Sequence, residues 1–461
     1  MTFIDRQAEL KFLEEKWQDP KSQLIVLWGK RRVGKTELVK QFIDGKPSLY
    51  FLSESTSDKE QLQRFSQLLG EFLEEPLLLT RGFSVWEEAF AYLKNRKERF
   101  VLVFDEFPYL IQSNPAIPSI FQKGWDEYLA SSNIYLILLG SSVTMMENEV
   151  LGYRSPLYGR RTGQWLVDPM PFRAASQFRA DKPFWDRLAH FAIAGGIPAY
   201  WLQFFLKKDF AGNLRDHVFR KGEMLYDEVE FLLRAEVREP RYYFALLQAI
   251  AQGKRKLSEI VNASGLQQSL ANKYLGVLSD LRIVEREVPV TEAVPMKSKK
   301  GLYRISDEFC RFWFRFVLPH RSELEMGRLD HITEECLKQL PQFLGETYEK
   351  VAKETLLADM GSFFPFSAIG RWWDRGDEID VVAINPDRDS ILFCEVKTTE
   401  KKVGTDILNS LRDKARKVKW GSFERREFFC LFSRTGFTSA LQDQAQHEEV
   451  VLYCEDQRVL P

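Results

Sequence analysis

The chain has 461 residues, which at roughly 150 per domain predicts about three domains. Hydrophobic residues make up 44% and charged residues 28%, the balance of an ordinary globular protein, so a disordered or fibrous chain is excluded. The formal net charge of −1 means that any nucleic-acid surface must be local, not a property of the whole chain.

No apolar run approaches the ~20 residues that span a membrane. The opening Met1-Thr2-Phe3-Ile4-Asp5-Arg6 leads into no apolar signal core. The expectations are therefore no membrane partner and a cytoplasmic location. Cys310, Cys336, Cys394, Cys430 and Cys454 include no C-x-x-C pair, which leaves neither a zinc ribbon nor a thioredoxin-like motif. Cys394, Cys430 and Cys454 each sit in an apolar run and read as core residues.

Residues 1–170 alternate short apolar runs with amphipathic stretches. The runs 24–28 (LIVLW), 49–52, 100–104 (FVLVF) and 134–139 (IYLILL) are continuously apolar, the mark of strands buried on both faces. Helical stretches at 59–73 and 84–93 lie between them, and this alternation predicts a parallel sheet covered by helices. The first apolar run ends in Gly29-Lys30-Arg31-Arg32-Val33-Gly34-Lys35-Thr36, a full match to G-x-x-x-x-G-K-[ST] between a strand and a helix. Glycines let the backbone wrap phosphates, and the loop amides with the helix N-terminus face the anion. Lys35 is expected on the β- and γ-phosphates and the Thr36 hydroxyl on Mg²⁺.

The run 100–104 ends in Asp105-Glu106. Asp105 is expected to hold the Mg²⁺ water shell, and Glu106 to orient or polarise the attacking water. The run 134–139 ends in Gly140-Ser141-Ser142. These serines either sense the γ-phosphate or cap the following helix. The turn Ser155-Pro156-Leu157-Tyr158-Gly159-Arg160-Arg161-Thr162 carries two arginines. Arg160 or Arg161 either neutralises transition-state charge or is an ordinary exposed cation.

The order of phosphate loop, D-E strand, G-S-S strand, S-P-L-Y-G-R turn and Gly195-Gly196-Ile197-Pro198 resembles the archaeal-type ATPase family of the AAA+/STAND group of P-loop NTPases. The resemblance implies ATP and Mg²⁺ as cofactors and a helical lid at 171–239. It implies that Pro198 packs near the adenine, and that Phe3 and Arg6, in a segment with Asp5 where glycine is frequent, line the base pocket.

Residues 240–306 read as helices at 243–251, 257–263 and 269–281, then two short strands at 283–288 and 301–305, the winged-helix pattern. Gln267, Gln268, Ser269, Asn272 and Lys273 suit a DNA groove, and Lys297, Lys299 and Lys300 cluster at the expected wing tip. The alternative is an adaptor that docks on the ATPase core. An aromatic-rich helical connector follows at 307–342.

Residues 343–461 are again α/β. Asp377-Glu378-Ile379-Asp380 opens a strand, and Ile391 to Lys397 forms another, with Glu395 and Lys397 on one face and Cys394 and Val396 on the other. Asp380 on the neighbouring strand comes beside Glu395, where two carboxylates can bind Mg²⁺ or Mn²⁺ and the lysine can activate water. This set resembles the PD-(D/E)xK nuclease superfamily, with Ile379 where the superfamily name has proline. The resemblance implies Glu349, in Gly345-Glu346-Thr347-Tyr348-Glu349, as a further metal ligand. The next helix carries Arg412, Lys414, Arg416, Lys417 and Lys419, a basic surface for a phosphate backbone. The fold expected is thus α/β: a P-loop NTPase parallel sheet with helical lid, a winged helix and a nuclease-like domain. DNA is the expected macromolecular partner, and cleavage, DNA binding without chemistry, a protein partner and self-association all stay open.

Overall fold

A computed structural model describes residues 3–205, 207–359 and 363–460. They fall into two compact units. One holds the chain up to Met170 with Gly196–Ala199 and Ala235–Arg238, and the other holds the rest. The expected lid segment is thus divided: two short pieces go with the first sheet and its remaining helices go with the second unit.

The first unit is built on a five-stranded sheet: β1 (Gln23–Trp28), β2 (Ser48–Leu52), β3 (Val101–Asp105), β4 (Tyr135–Gly140) and β5 (Gly163–Leu166). The spatial order is β2-β3-β4-β1-β5, and every pairing is parallel. All residues of β1, β3 and β4 are buried, as continuous apolar runs require. A cluster of Phe51, Phe65, Trp86, Phe90, Phe104 and Phe121 fills one side of the sheet. The strand order brings the carboxyl ends of β1, β4 and β3 side by side. The sequence runs located four of the strands to within one residue. β5 was missed, because it is four residues long, partly exposed and has no apolar run.

The second unit begins with helices that include Phe184–Ala194 and most of Met224–Glu236. Trp313, fully buried, donates to the Tyr226 carbonyl at 2.8 Å and ties the aromatic segment 308–317 to them. Three helices follow, Pro240–Ala251, Leu257–Ser264 and Gln268–Asp280, and then the antiparallel pair β6 (Val284–Glu287) and β7 (Leu302–Ile305). The expected connector does not end at residue 342: one helix of 30 residues, Leu329–Ala358, runs through that point with Pro341 inside it.

The C-terminal sheet comprises β8 (Ala368–Asp374), β9 (Asp377–Asn385), β10 (Ser390–Lys397), β11 (Arg426–Ser433), β12 (Val451–Cys454) and β13 (Gln457–Leu460), in the order β13-β12-β11-β10-β9-β8. β8, β9 and β10 are antiparallel neighbours, while β10, β11 and β12 run parallel. Each parallel step needs a crossover, and the helices Thr405–Ala415 and Ser439–Glu448 supply them. Their apolar faces, among them Leu408, Leu411, Leu441 and Ala445, pack with Phe393, Leu431 and Leu452. The helix Leu329–Ala358 is tied to this sheet through Tyr348, whose hydroxyl reaches the carbonyls of Ser433 and Glu455 at 3.2 and 2.9 Å. Cys394 and Cys430 are fully buried as expected, and Cys454 only partly.

The expected wing tip is not free. After β6 the chain docks on the edge strand β8, where the Val290 amide donates to the Arg371 carbonyl at 2.9 Å. Strand β8 is bulged between Gly370 and Trp372 at this point, which leaves that carbonyl to an outside donor. Lys300 is held by Glu292 at 3.3 Å and Asp374 at 3.4 Å. Of the three lysines expected on phosphates, Lys300 is therefore engaged with carboxylates, and Lys297 and Lys299 remain exposed.

Candidate functional site

The loop Gly29–Thr36 leaves the end of β1 and enters the helix Lys35–Ile43. A Cβ at Gly29 would stand 2.4 Å from the Val167 carbonyl oxygen, so only glycine fits there. Gly34 takes φ +97°, the left-handed region that favours glycine. Val33 is fully buried and anchors the loop, while Arg31 is exposed. Lys35 turns its ammonium back on the loop and donates to the carbonyls of Gly29 and Lys30, both at 2.9 Å. Burial pushes its pKa down to about 8, against the pull of Glu106, Asp105 and Glu236. A largely desolvated cation with no close ion pair among the described residues is suited to receive an anion.

Asp105, at the end of β3, accepts from the Thr36 hydroxyl at 2.9 Å, from the Glu106 amide at 2.8 Å and from the Tyr50 hydroxyl. Thr36 and Asp105 thus present two hard oxygen donors side by side, which fits Mg²⁺. Burial, followed by the Asp105 charge, holds the Tyr50 phenol far above its usual range, so it stays a donor. Glu106 stands at φ +51° just before the helix Phe107–Ser113. A glutamate in the left-handed region is uncommon and persists where its surroundings fix it. Its carboxylate lies 3.4 Å from the Ser141 amide.

The cap alternative fails for Ser142: it precedes the helix Val143–Met145 but makes no side-chain cap bond. Its hydroxyl donates instead to Glu236 at 3.2 Å. Burial raises the Glu236 pKa, with Arg31 opposing. Gly196 packs against the Met170 backbone so closely that a Cβ would meet the Met170 oxygen at 2.1 Å. This seats Pro198 over the loop, 3.8 Å from the position of a Cβ on Gly34.

Arg6 is 4% exposed and donates to the Val33 carbonyl at 2.9 Å, so it braces the loop from outside, and Phe3 is half-buried. Arg160 does not join the loop groups: it pairs with Asp126 at 3.1 Å. Arg161 donates to the Leu151 carbonyl and lies over the Tyr158 ring. Tyr50 and Glu236 escaped the sequence reading, since nothing in the local pattern links residue 50 or 236 to the loop.

A second cluster lies on the C-terminal sheet. The antiparallel register pairs Cys394 with Val381, so Glu395 and Asp380 stand opposite one another on the next step. Both are buried. Asp380 accepts from the Val396 amide at 2.8 Å. Glu395 accepts from Lys397 at 2.7 Å and from Lys414 at 3.0 and 3.1 Å. Burial and then the facing Glu395 charge push the Asp380 carboxyl up. Burial also raises Glu349, with Arg371 opposing and Asp380 adding to the rise.

Glu349 faces Arg371 at 3.5 Å, yet its Oε2 and the Arg371 Nη1 are buried and make no proper hydrogen bond. The cation facing that oxygen is Arg371, and a metal ion would have to take its place. The described residues nevertheless include no ready cluster of three or more metal-ligand side chains. Glu349 is turned to Arg371, which the sequence reading did not bring to the site. The expected basic helix surface is also largely engaged: Lys414 with Glu395, Lys417 with Asp377 at 2.9 Å, Arg416 with Asp413 at 2.9 Å and Arg412 with Glu448.

Known proteins resemble this chain over its first part and over nearly its whole length. Residues 3–186 match the model of an ATPase domain predominantly from Archaea. Residues 313–409 match a family described as Archaea bacterial proteins of unknown function. Among solved structures, the Walker-type ATPase PABY2304 of Pyrococcus abyssi is similar in fold, with TM-score 0.52 and 22% identity over 68% of this chain and 96% of that one. The uncharacterized ATP-binding protein MJ0423 of Methanocaldococcus jannaschii is 54% identical over 44 residues, covering 10% of this chain and 75% of that protein. The uncharacterized protein MJECL04 of the same organism is 38% identical over 421 residues, 90% of this chain and 92% of its own length. The chain belongs to one family with MJECL04, and its residues 3–186 match the ATPase domain found predominantly in Archaea.

Proposed function

We propose that this chain binds ATP with Mg²⁺ at Gly29–Thr36 and hydrolyses it, and that the nucleotide state controls how the C-terminal part engages or cuts DNA. The observation that carries the first half is the convergence of Lys35, Thr36, Asp105 and Glu106 at one sheet edge. Loop amides and Lys35 receive the phosphates. Thr36 and Asp105 would hold Mg²⁺, which supplies charge neutralisation on the β- and γ-phosphates. Tyr50 keeps the Asp105 carboxylate aimed. Glu106 orients a water for attack, with the Ser141 amide fixing the carboxylate and Ser142 beside it. Pro198 closes over the base side with Phe3. Arg160 reaches a phosphate only if it leaves Asp126.

For the second half, the helices and β-pair of residues 240–306 act as a winged helix whose third helix, Gln268–Asp280, contacts DNA. The C-terminal sheet acts as a PD-(D/E)xK-type module. There Asp380 and Glu395 would hold Mg²⁺ or Mn²⁺, which supplies Lewis-acid stabilisation at a phosphate. Glu349 adds a third ligand when Arg371 withdraws, and Lys397 positions the water. A second reading is a STAND-like switch in which the terminal modules bind DNA or protein without chemistry. It is favoured by the two lysines that neutralise Glu395.

Hydrolysis by Glu106→Gln is the test of the first half. ATP binding is expected to survive and turnover to fall by about 10²-fold or more. Unchanged turnover would make Glu106 a bystander. For the second half, Mn²⁺ is expected to raise the melting temperature of the wild-type protein by mass action. This shift should be absent in Asp380→Ala, while ATP hydrolysis stays near wild type. An equal Mn²⁺ shift in both proteins removes Asp380 from the metal site.

A further inference from the structure

The docked β6–β7 hairpin and the tip of the β8–β9 hairpin form the walls of a groove of about 780 Å³. Lys256, Arg286, Lys299, Lys300 and Arg375 line it with Trp373, against three carboxylates of the same lining, Asp374, Asp377 and Glu378. Each of these carboxylates already has a cation: Lys300 on Asp374, Lys417 on Asp377 and Arg371 on Glu378. Lys256, Lys299 and Arg375 form no ion pair among the described residues. Arg286 donates to the carbonyls of Pro295 and Ser298, which orient the guanidinium and leave its charge uncompensated. The groove therefore carries a net positive field although the chain as a whole does not.

Its shape is fixed. The Val290–Arg371 backbone bond and the Lys300–Asp374 pair hold one wall against the other. Arg375 and Gly376, at φ +47° and +97°, make a tight two-residue hairpin turn that holds the Arg375 backbone. Trp373, half-buried, adds an aromatic side chain to the same lining. Separated cations around a stacking ring are the chemistry that binds an unpaired strand: phosphates on the charges, a base on the ring. The space admits a few nucleotides of one strand. A duplex, whose major groove alone is about 12 Å wide, has to lie outside it. Strand β9 starts in the groove at Asp377 and reaches Asp380 about 10 Å further on, at ~3.3 Å per residue.

We propose that this groove binds single-stranded DNA, with phosphates on Lys256, Arg286, Lys299 and Arg375 and a base on Trp373, and leads the strand to Asp380 and Glu395. The last clause rests on the nuclease-type reading above, and the binding does not.

The test is fluorescence anisotropy with the full-length protein in EDTA, using a labelled oligothymidylate and a duplex of equal length. The single strand is expected to bind at least ten-fold more tightly than the duplex. Trp373→Ala is expected to weaken it about ten-fold, the scale of one stacked base, and Trp373→Phe to restore most of the loss. Lys299→Ala combined with Arg375→Ala, two exposed positions that leave the fold intact, is expected to reduce the slope of log affinity against log salt. The reduction should be about 1.4, since each phosphate contact on a single strand contributes about 0.7. Equal affinity for both DNAs, or an unchanged affinity in Trp373→Ala with an unchanged slope in the double variant, overturns the proposal. Cleavage of the same oligonucleotide by the wild-type protein is read separately with Mg²⁺ and Mn²⁺. Binding that follows the pattern above without cleavage supports the groove and sinks only the nuclease-type reading.

Discussion

Lys35 concentrates the first site in one side chain. Its ammonium is nearly out of water and is satisfied by two carbonyls of its own loop, which an anionic phosphate can replace as the stronger partner. Lys35→Ala is expected to abolish ATP binding in calorimetry and to leave the melting temperature close to wild type. Wild-type affinity in the folded variant contradicts the assignment. Glu236 has the opposite sign in the same place, sharing Ser142 and facing the Lys35 and Arg31 charges. Glu236→Gln removes a negative charge near the phosphates, so ATP is expected to bind roughly five-fold more tightly, the scale of about 1 kcal/mol for one screened charge pair. Weaker binding in this variant would mean that Glu236 anchors the loop cations instead. The loop and the Asp105-Glu106 pair were legible because strand, turn and helix succeed one another in the chain. Tyr50 and Glu236 were not, because only sheet pairing and the return of the chain at 235–238 bring them in.

Among elements, the helix Leu329–Ala358 organises the second unit through buried charge as well as apolar contact. Glu308 is buried and accepts from Arg311 at 2.7 Å, Lys350 at 3.2 Å and Thr347 at 3.3 Å. Burial alone would raise its pKa, but Arg311 and Lys350 outweigh that and hold it below the ordinary 4.5. A depressed carboxylate stabilises the fold above its unfolded-state value and loses that contribution as pH falls through the folded-state one. Glu308→Gln is expected to lose about 2 kcal/mol near neutral pH, where it removes the charge that the partly buried Arg311 and Lys350 share. The gap to wild type should close in melts run below pH ~4.5. A gap that is constant with pH would assign the loss to packing. Apolar runs made most strands legible, but not how elements dock: the wing lysines read as a free tip, and the β8 bulge that receives Val290 has no signature in sequence. Arg371 was missed for the same reason, since it reaches Glu349 only through that strand.

For the whole molecule, the family is shown by a relative that matches nearly end to end, and residues 3–186 match an ATPase-domain model. Composition and near-zero net charge carry no sign of how the second unit is arranged. The pairing of Asp380 with Glu395 could be expected from an E-x-K strand beside an acidic one, while the lysine shield from Lys414 could not, because it comes from a crossover helix. As proposed above, turnover of ATP at the loop is coupled to DNA at the second unit. The most direct measurement is steady-state ATP hydrolysis by the full-length protein, with and without single-stranded and duplex DNA, with Lys35→Ala as the blank. Many turnovers per molecule are expected, faster when DNA is present, and none in Lys35→Ala. One slow turnover with nucleotide held tightly, indifferent to DNA, would contradict that coupling and favour the signalling switch.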